Sequence, residues 1–332
     1  MSDTSEGVAH LAVLGAGAWG TVLASLLRGA GHDVRLWARR PEQVEAMARA
    51  GENAAYLPGV PLPAGLTLTA ELGEALEGTE LALVAVPSRS VRALADRLPE
   101  RPPPLVLASK GIEPARFLRL SQVVLEARPA SVLAVLSGPN LAAEIAAGKP
   151  AGATVASASA SLARRVQALF DEARFRVYTA TDVVGVEVAG AMKNVIAVAA
   201  GICDGLGLGD NAKALILTRG LAEIVRLGTR LGGEPRTFYG LSGVGDLVAT
   251  CVSAQSRNHL AGVRFARGAT LDELEAERLT AEGLPTAAAV HHLGAELRLD
   301  LPISAEVYRV AFEGKRPRDA IRDLMARGPK AE

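Results

Sequence analysis

Cysteine is nearly absent from this chain, and the two present, Cys203 and Cys251, lie in apolar stretches far from any C-x-x-C pair. That excludes a disulfide framework and a thiolate metal site, and leaves two reduced core thiols. Histidine is also sparse, with five in the chain. His291 and His292 are neighbours on a helical pattern and point in different directions, so no metal is expected. Neither sign of charge is in excess: 36 Lys and Arg balance 36 Asp and Glu. A chain without a cationic surplus is not built for nucleic acid. Residues 1–10 carry Asp3 and Glu6 and lack a basic start with an apolar core. They read as a short disordered tail rather than a secretory signal. The most apolar stretch, 183–203, is interrupted by Glu187, Lys193 and Asn194, so no membrane insertion is expected and the cytoplasm is the expected location. There are no internal repeats and no low-complexity segments.

What is present is the pattern of two domains, the usual outcome for 332 residues. Up to about residue 185, short β-rich runs alternate with helical patterns. Strands are predicted at 11–14, 33–37, 81–86, 105–108, 132–136, 153–156 and 175–178. Several are continuously apolar, as parallel strands buried on both faces must be. This is an α/β doubly wound sheet of the Rossmann type (1–185). From 186 to 332 the strand signal vanishes, and long Ala/Leu/Val-rich helical patterns, broken at glycine clusters, predict an all-α domain for substrate and catalysis.

The run Leu11-Ala12-Val13-Leu14 leads into Gly15-Ala16-Gly17-Ala18-Trp19-Gly20, and a helical pattern follows. In that context Gly15 permits a tight turn, Gly17 lets backbone amides approach a pyrophosphate, and Gly20 allows helix and strand to pack closely. A nicotinamide dinucleotide is the implied ligand. A site strict for NAD would end its second strand in Asp or Glu. This one ends in Trp37-Ala38-Arg39-Arg40, whose guanidinium groups suit a 2′-phosphate, so NADP is favoured or tolerated alongside NAD.

Oxidation of an alcohol needs a base, donors for oxyanion charge and a clamp that aims the substrate. Lys110 follows a predicted strand in Ser109-Lys110-Gly111 and is either a site lysine or a surface one. Ser137-Gly138-Pro139-Asn140 follows another strand and opens a helix, which is either an anion site or ordinary capping. Lys193 lies among Ala189, Gly190, Met192, Ile196 and Ala197 with no acid at i±3 or i±4. It must snorkel to the surface or face a cleft, and in the second case burial lowers its pKa toward that of a general base. Asp246 starts a helix as either a cap or a site carboxylate. Gln255-Ser256-Arg257-Asn258 is a solvated loop or a phosphate clamp.

Taken together, Gly15 to Gly20, Asn53 to Pro58, Ser109-Lys110-Gly111, Ser137-Gly138-Pro139, Lys193-Asn194, Gly209 to Lys213, Gly245-Asp246-Leu247 and Ser256-Arg257-Asn258 closely resemble the bacterial NAD(P)-dependent glycerol-3-phosphate dehydrogenases. The resemblance implies hydride transfer between sn-glycerol 3-phosphate and dihydroxyacetone phosphate, with NADP or NAD as cofactor, in the service of glycerophospholipid synthesis. It implies Lys193 as proton acceptor, with Asp246 and Thr250 beside it, and Lys110 touching both substrate and cofactor. Gly138, Asn140, Ser256, Arg257 and Asn258 would bind the substrate. Gly15, Gly17, Ala18, Trp19, Gly20, Arg39, Arg40, Ala142, Arg257, Thr280 and Glu282 would bind the cofactor. A homodimer is the family's habit. Two departures stand out: Ala18 replaces a common serine, so contact there must come from the backbone, and Thr280-Ala281-Glu282-Gly283 replaces Val-Val-Glu-Gly. A 3-hydroxyacid or ketopantoate dehydrogenase, and a non-catalytic dinucleotide-binding protein, are the alternatives.

Overall fold

The computed structural model describes residues 7–170, 174–277 and 279–328, so most of the amino-terminal reading lies outside the described residues. The chain forms two compact units. One comprises the chain up to Ser109 together with Leu120–Val183, and the other comprises Lys110–Arg119 with the chain from Val184 onward.

The first unit is built on eight strands: β1 (His10–Leu14), β2 (Asp33–Trp37), β3 (Thr67–Thr69), β4 (Leu81–Val84), β5 (Leu105–Leu107), β6 (Leu133–Ser137), β7 (Ala151–Ala156) and β8 (Phe175–Ala180). Their order in the sheet is β3-β2-β1-β4-β5-β6-β7-β8. The central strands are uniformly apolar because helices cover both faces: every residue of β4 and β5 is buried. The direction of winding reverses between β1 and β4, which is where ligands bind in open α/β sheets.

Two details depart from the sequence reading. β3 was not predicted, since Thr-Leu-Thr is too short to show a period and lies at a half-exposed edge. The sheet is also not wholly parallel. β7 runs antiparallel to β6, with Val135 opposite Ala156. Apolar composition reports burial on both faces and carries no information about direction.

The second unit is helical among the described residues, apart from one isolated bridge between Ile112 and Arg119. Its axis is the helix Val183–Gly205, buried continuously from Gly185 to Cys203. A helix enclosed on all sides needs no amphipathic stripe, which explains why apolar residues occupy all of its faces. At 23 residues it is, by length and composition, long enough to cross a bilayer, contrary to the expectation that its polar interruptions would rule this out. Most of it is instead packed in the core of the unit. The helix Arg257–Ala266 lies against it at backbone distance. A Cβ on Gly201 would meet the His259 carbonyl oxygen at 2.0 Å, and one on Gly262 would meet that of Val198 at 2.0 Å. Only glycine permits this approach. It sets Lys193 and Asn194 on one helix in a defined relation to Arg257 and Asn258 on the other. Cys203 and Cys251 are free and buried in this core, and burial pushes the Cys251 thiol up to about 12.

Candidate active site

The glycine turn follows β1 directly. Gly15 adopts φ +121°, where a side chain would be strained and would also strike the Ala85 carbonyl. Gly20 sits in the first turn of the helix Ala18–Gly29, and a Cβ there would come within 1.8 Å of the Gly15 oxygen. Around Gly17 the space is open. No side chain caps this helix, so its first amides have no acceptor of their own and present positive potential. The carbonyl side of the turn is tied back by neighbouring side chains. Asn53 Nδ2 donates to the Ala16 oxygen (3.0 Å) and to Thr21 Oγ1 (2.7 Å), Gln43 Nε2 donates to the same Ala16 oxygen (2.6 Å), and Thr21 donates to the Gly17 oxygen (2.9 Å). With the Ala16 and Gly17 carbonyls occupied and the helix start uncapped by any side chain, the turn fits the pyrophosphate of a dinucleotide. The indole Nε1 of Trp19 is buried without a partner beside it, a donor still to be satisfied. Arg39 and Arg40 follow β2 and are exposed; Arg40 hydrogen-bonds Gln43 and Tyr56.

Gly20→Ala is therefore expected to displace the turn, weakening dinucleotide binding at least about tenfold and costing about 1–3 kcal/mol of stability through overpacking. Fluorescence titration of the reduced dinucleotide, with thermal unfolding alongside, checks both.

Within the helical unit, four residues predicted as catalytic converge. Lys193 Nζ lies 2.9 Å from Asp246 Oδ1 and 2.7 Å from Thr250 Oγ1, while Lys110 Nζ lies 2.6 Å from Asp246 Oδ2. The Thr250 hydroxyl donates to Asp246 Oδ1 across one helical turn (3.0 Å). Each carboxylate oxygen therefore faces a different amine, and the threonine completes the set. Capping does not account for Asp246. A π-turn, Leu241–Gly245, runs straight into the helix Asp246–Val252, so the preceding residue, Gly245, is already helical, and the carboxylate turns to the lysines. Lys193 has no acid one turn away on its own helix; the acid beside it is Asp246, on another helix. Burial opposes ionisation of Asp246, yet the charges and hydrogen bonds of Lys110 and Lys193 outweigh it and hold the carboxyl below its usual range. The amine driven down is that of Lys110, to about 8. Burial is the main cause and the Lys193 charge adds to it, against the pull of Asp246.

Ser256 caps the helix Arg257–Ala266, its Oγ accepting from the His259 amide (3.2 Å), and leaves a hydroxyl hydrogen to donate. Arg257 is exposed on the first turn. Asn258 is buried between neighbours: Nδ2 donates to Asn194 Oδ1 (2.8 Å) and Oδ1 accepts from the Gly283 amide (2.9 Å). Its amide thus joins the residue after Lys193 to the segment carrying Thr280 and Glu282, both half-buried ahead of the helix Gly283–Glu296.

In the sheet unit, Gly138 follows β6 with no room for a side chain, since a Cβ would meet the Gly152 oxygen at 2.6 Å. Asn140 Nδ2 donates to that same oxygen (3.1 Å), and its Oδ1 is buried without a partner. The helix expected here is only five residues long, Ala142–Ala146, and Pro139 lies ahead of it rather than in its first turn. Ala142 is its first residue. Gln43 had no sequence signal of its own, and Asn53 had only its place in a family motif.

Two family models divide the chain between them. The N-terminal model of NAD-dependent glycerol-3-phosphate dehydrogenase matches residues 10–163, and the C-terminal model matches 182–322. The glycerol-3-phosphate dehydrogenase (NAD(P)+) of Thermus thermophilus is 52% identical over 324 residues, covering 97% of this chain and 100% of its own. The enzyme of the same name from Bacillus pumilus is 47% identical over 324 residues, covering 96% and 94%. Among solved structures, the glycerol-3-phosphate dehydrogenase of Coxiella burnetii superimposes with a TM-score of 0.93 at 37% identity, covering 96% of this chain and 99% of that one. With both halves matched and relatives this similar along nearly the whole length, the chain belongs to the NAD-dependent glycerol-3-phosphate dehydrogenase family.

Proposed function

We propose that this enzyme interconverts sn-glycerol 3-phosphate and dihydroxyacetone phosphate with NADP or NAD, supplying glycerol 3-phosphate for glycerophospholipid synthesis. The observation that carries the reading is the buried Lys193–Asp246–Lys110 cluster with Thr250, standing in a chain of this family. When bound, the nicotinamide supplies the two-electron chemistry, taking or giving hydride. The residues of this chain handle the proton and the charge. In the reductive direction the Lys193 ammonium delivers a proton to the oxygen at C2. In the oxidative direction its neutral amine takes that proton away. Asp246 and Thr250 hold Nζ in place, which gives the proton a fixed geometry of transfer. Lys110, its amine driven down to about 8 by burial, makes the cluster a coupled group that gains or loses a proton near pH 8. With both amines protonated, the cluster carries one net positive charge, suited to an anionic substrate and to developing alkoxide.

The turn at Gly15, Gly17, Ala18, Trp19 and Gly20 holds the pyrophosphate, and Arg39 and Arg40 accommodate a 2′-phosphate, so both dinucleotides serve. By family resemblance, Gly138, Asn140, Ser256, Arg257 and Asn258 contact the substrate, while Ala142, Thr280 and Glu282 contact the cofactor. The resemblance also carries a cytoplasmic homodimer, and ultracentrifugation tests the dimer.

The deciding assay follows oxidation of each reduced dinucleotide by dihydroxyacetone phosphate. Turnover with a hydroxyacid's keto form and none with dihydroxyacetone phosphate would establish the alternative dehydrogenase reading, and binding without turnover the non-catalytic one. Arg257→Ala should raise KM for the phosphorylated substrate about 10- to 100-fold, the worth of a charge-assisted hydrogen bond, with a smaller change for the dinucleotide. An unchanged substrate KM would remove Arg257 from phosphate binding.

A further inference from the structure

Residues 110–119 follow β5 in sequence, yet they pack with the helical unit. The segment leaves Lys110 through Gly111, whose φ of +147° suits glycine alone, and closes on itself. The Glu113 amide donates to the Leu118 oxygen (2.9 Å), and Ile112 bridges Arg119. Several attachments hold this loop. Ile112 is 1% exposed within the core that contains Val188, Ala189 and Met192 of the central helix. Arg119 Nη1 lies 2.6 Å from Glu187 Oε2 on that same helix, with side chains 18% and 6% exposed. Phe117, itself at φ +58°, stacks on His292 with ring centroids 4.9 Å apart and planes 20° from parallel.

None of these groups is needed to keep a loop on a surface. A buried ion pair stabilises little by itself, because desolvation cancels most of the attraction. A bulky residue at positive φ is strained and persists only where its surroundings hold it. Both features do fix a backbone in one place. The beneficiary is the lysine at the head of the segment. A lysine stem has much rotamer entropy to lose, so holding its amine 2.6 Å from Asp246 requires that its own Cα be held first.

We infer that 111–119 is a positioning arm for Lys110, and that Arg119, Glu187, Phe117 and His292 are positioning residues acting through that lysine. The proposal rests on the active-site reading above. With the arm in place, the whole proton-handling cluster is internal to one unit. Of the charged groups facing Lys110 Nζ, Asp246 attracts it and Lys193 repels it. Releasing the arm lets the amine swing toward water, where its proton is held more tightly.

The test is the pH dependence of amine labelling at Lys110, read by mass spectrometry on the intact folded enzyme, with steady-state kinetics on the same samples. In the unaltered protein the midpoint should lie at about 8. In Glu187→Gln it should rise by about one pH unit, leaving about fivefold less neutral amine at pH 8, while kcat falls about tenfold. Arg119→Lys should retain the pair and fall between the two. His292→Ala and Phe117→Leu bury no unpaired charge. They should shift the midpoint the same way if Glu187→Gln does not fold. A midpoint that stays at its original value in the folded variants, whatever happens to the melting temperature, overturns the arm. Lys110→Met separates this from the active-site reading. Normal turnover in that variant removes Lys110 from the chemistry, whereas the labelling midpoint in the arm variants, which keep the lysine, still reports whether the arm governs it.

Discussion

Exchanging Lys193 for methionine is expected to cut turnover by about 10²- to 10⁴-fold, the usual contribution of a positioned general acid or base. Methionine keeps most of the stem's volume, so the surrounding helix, buried from Gly185 to Cys203, has no large cavity to collapse. The loss should fall on kcat, with dinucleotide binding intact, because the glycine turn belongs to the other unit. Asp246 would keep Lys110 as its partner at 2.6 Å, so the fold should survive. Single-turnover measurement of reduced-dinucleotide oxidation checks the chemical step directly. Turnover within a few-fold of the original would remove Lys193 from proton transfer.

Asp246→Asn should be more damaging to stability. It removes the carboxylate between two amines and leaves both in a buried place without their counter-charge, which costs about 3–5 kcal/mol when one partner of such a group is lost. Activity should fall by at least about 10²-fold as well, since Lys193 and Thr250 both lose the acceptor that orients them. The pH dependence has a definite sign. Asp246 titrates below its ordinary value of 3.8 in the folded state, so its stabilising contribution is complete above that value and drains away as pH falls through the folded one. The gap in unfolding free energy between the original enzyme and Asp246→Asn should therefore be widest near neutrality and narrow in strong acid. Denaturant titrations across that range measure it, and a gap independent of pH would mean that the charge of Asp246 is not what stabilises the site.

Much of this was readable from residue order alone. The glycine turn could be placed because its three glycines answer to local demands: a positive φ, open space for a ligand and a close packing contact lie within six residues of one another. The continuously apolar β4 and β5 announced strands buried on both faces. Lys193 stood out because a cation inside so apolar a helix needs an explanation. Other features had no local signature. β3 was too short, and the reversal of β7 depends on how the chain returns rather than on what it is made of. Gln43 looked like any polar helix residue until its amide was seen holding the Ala16 carbonyl.

Residue order by itself determined the two kinds of fold, the glycine turn after the first strand and the set of chemically capable side chains, because periodicity, glycine placement and a charge in an apolar run are properties of neighbours along the chain. Only the tertiary structure decided which groups meet. Lys110, Lys193 and Asp246 are 136 and 53 positions apart along the chain, yet they share one carboxylate. The energy of a buried charge depends on its distance to a partner in space. That distance is set by the packing of two helices and the 110–119 segment, which no local pattern encodes.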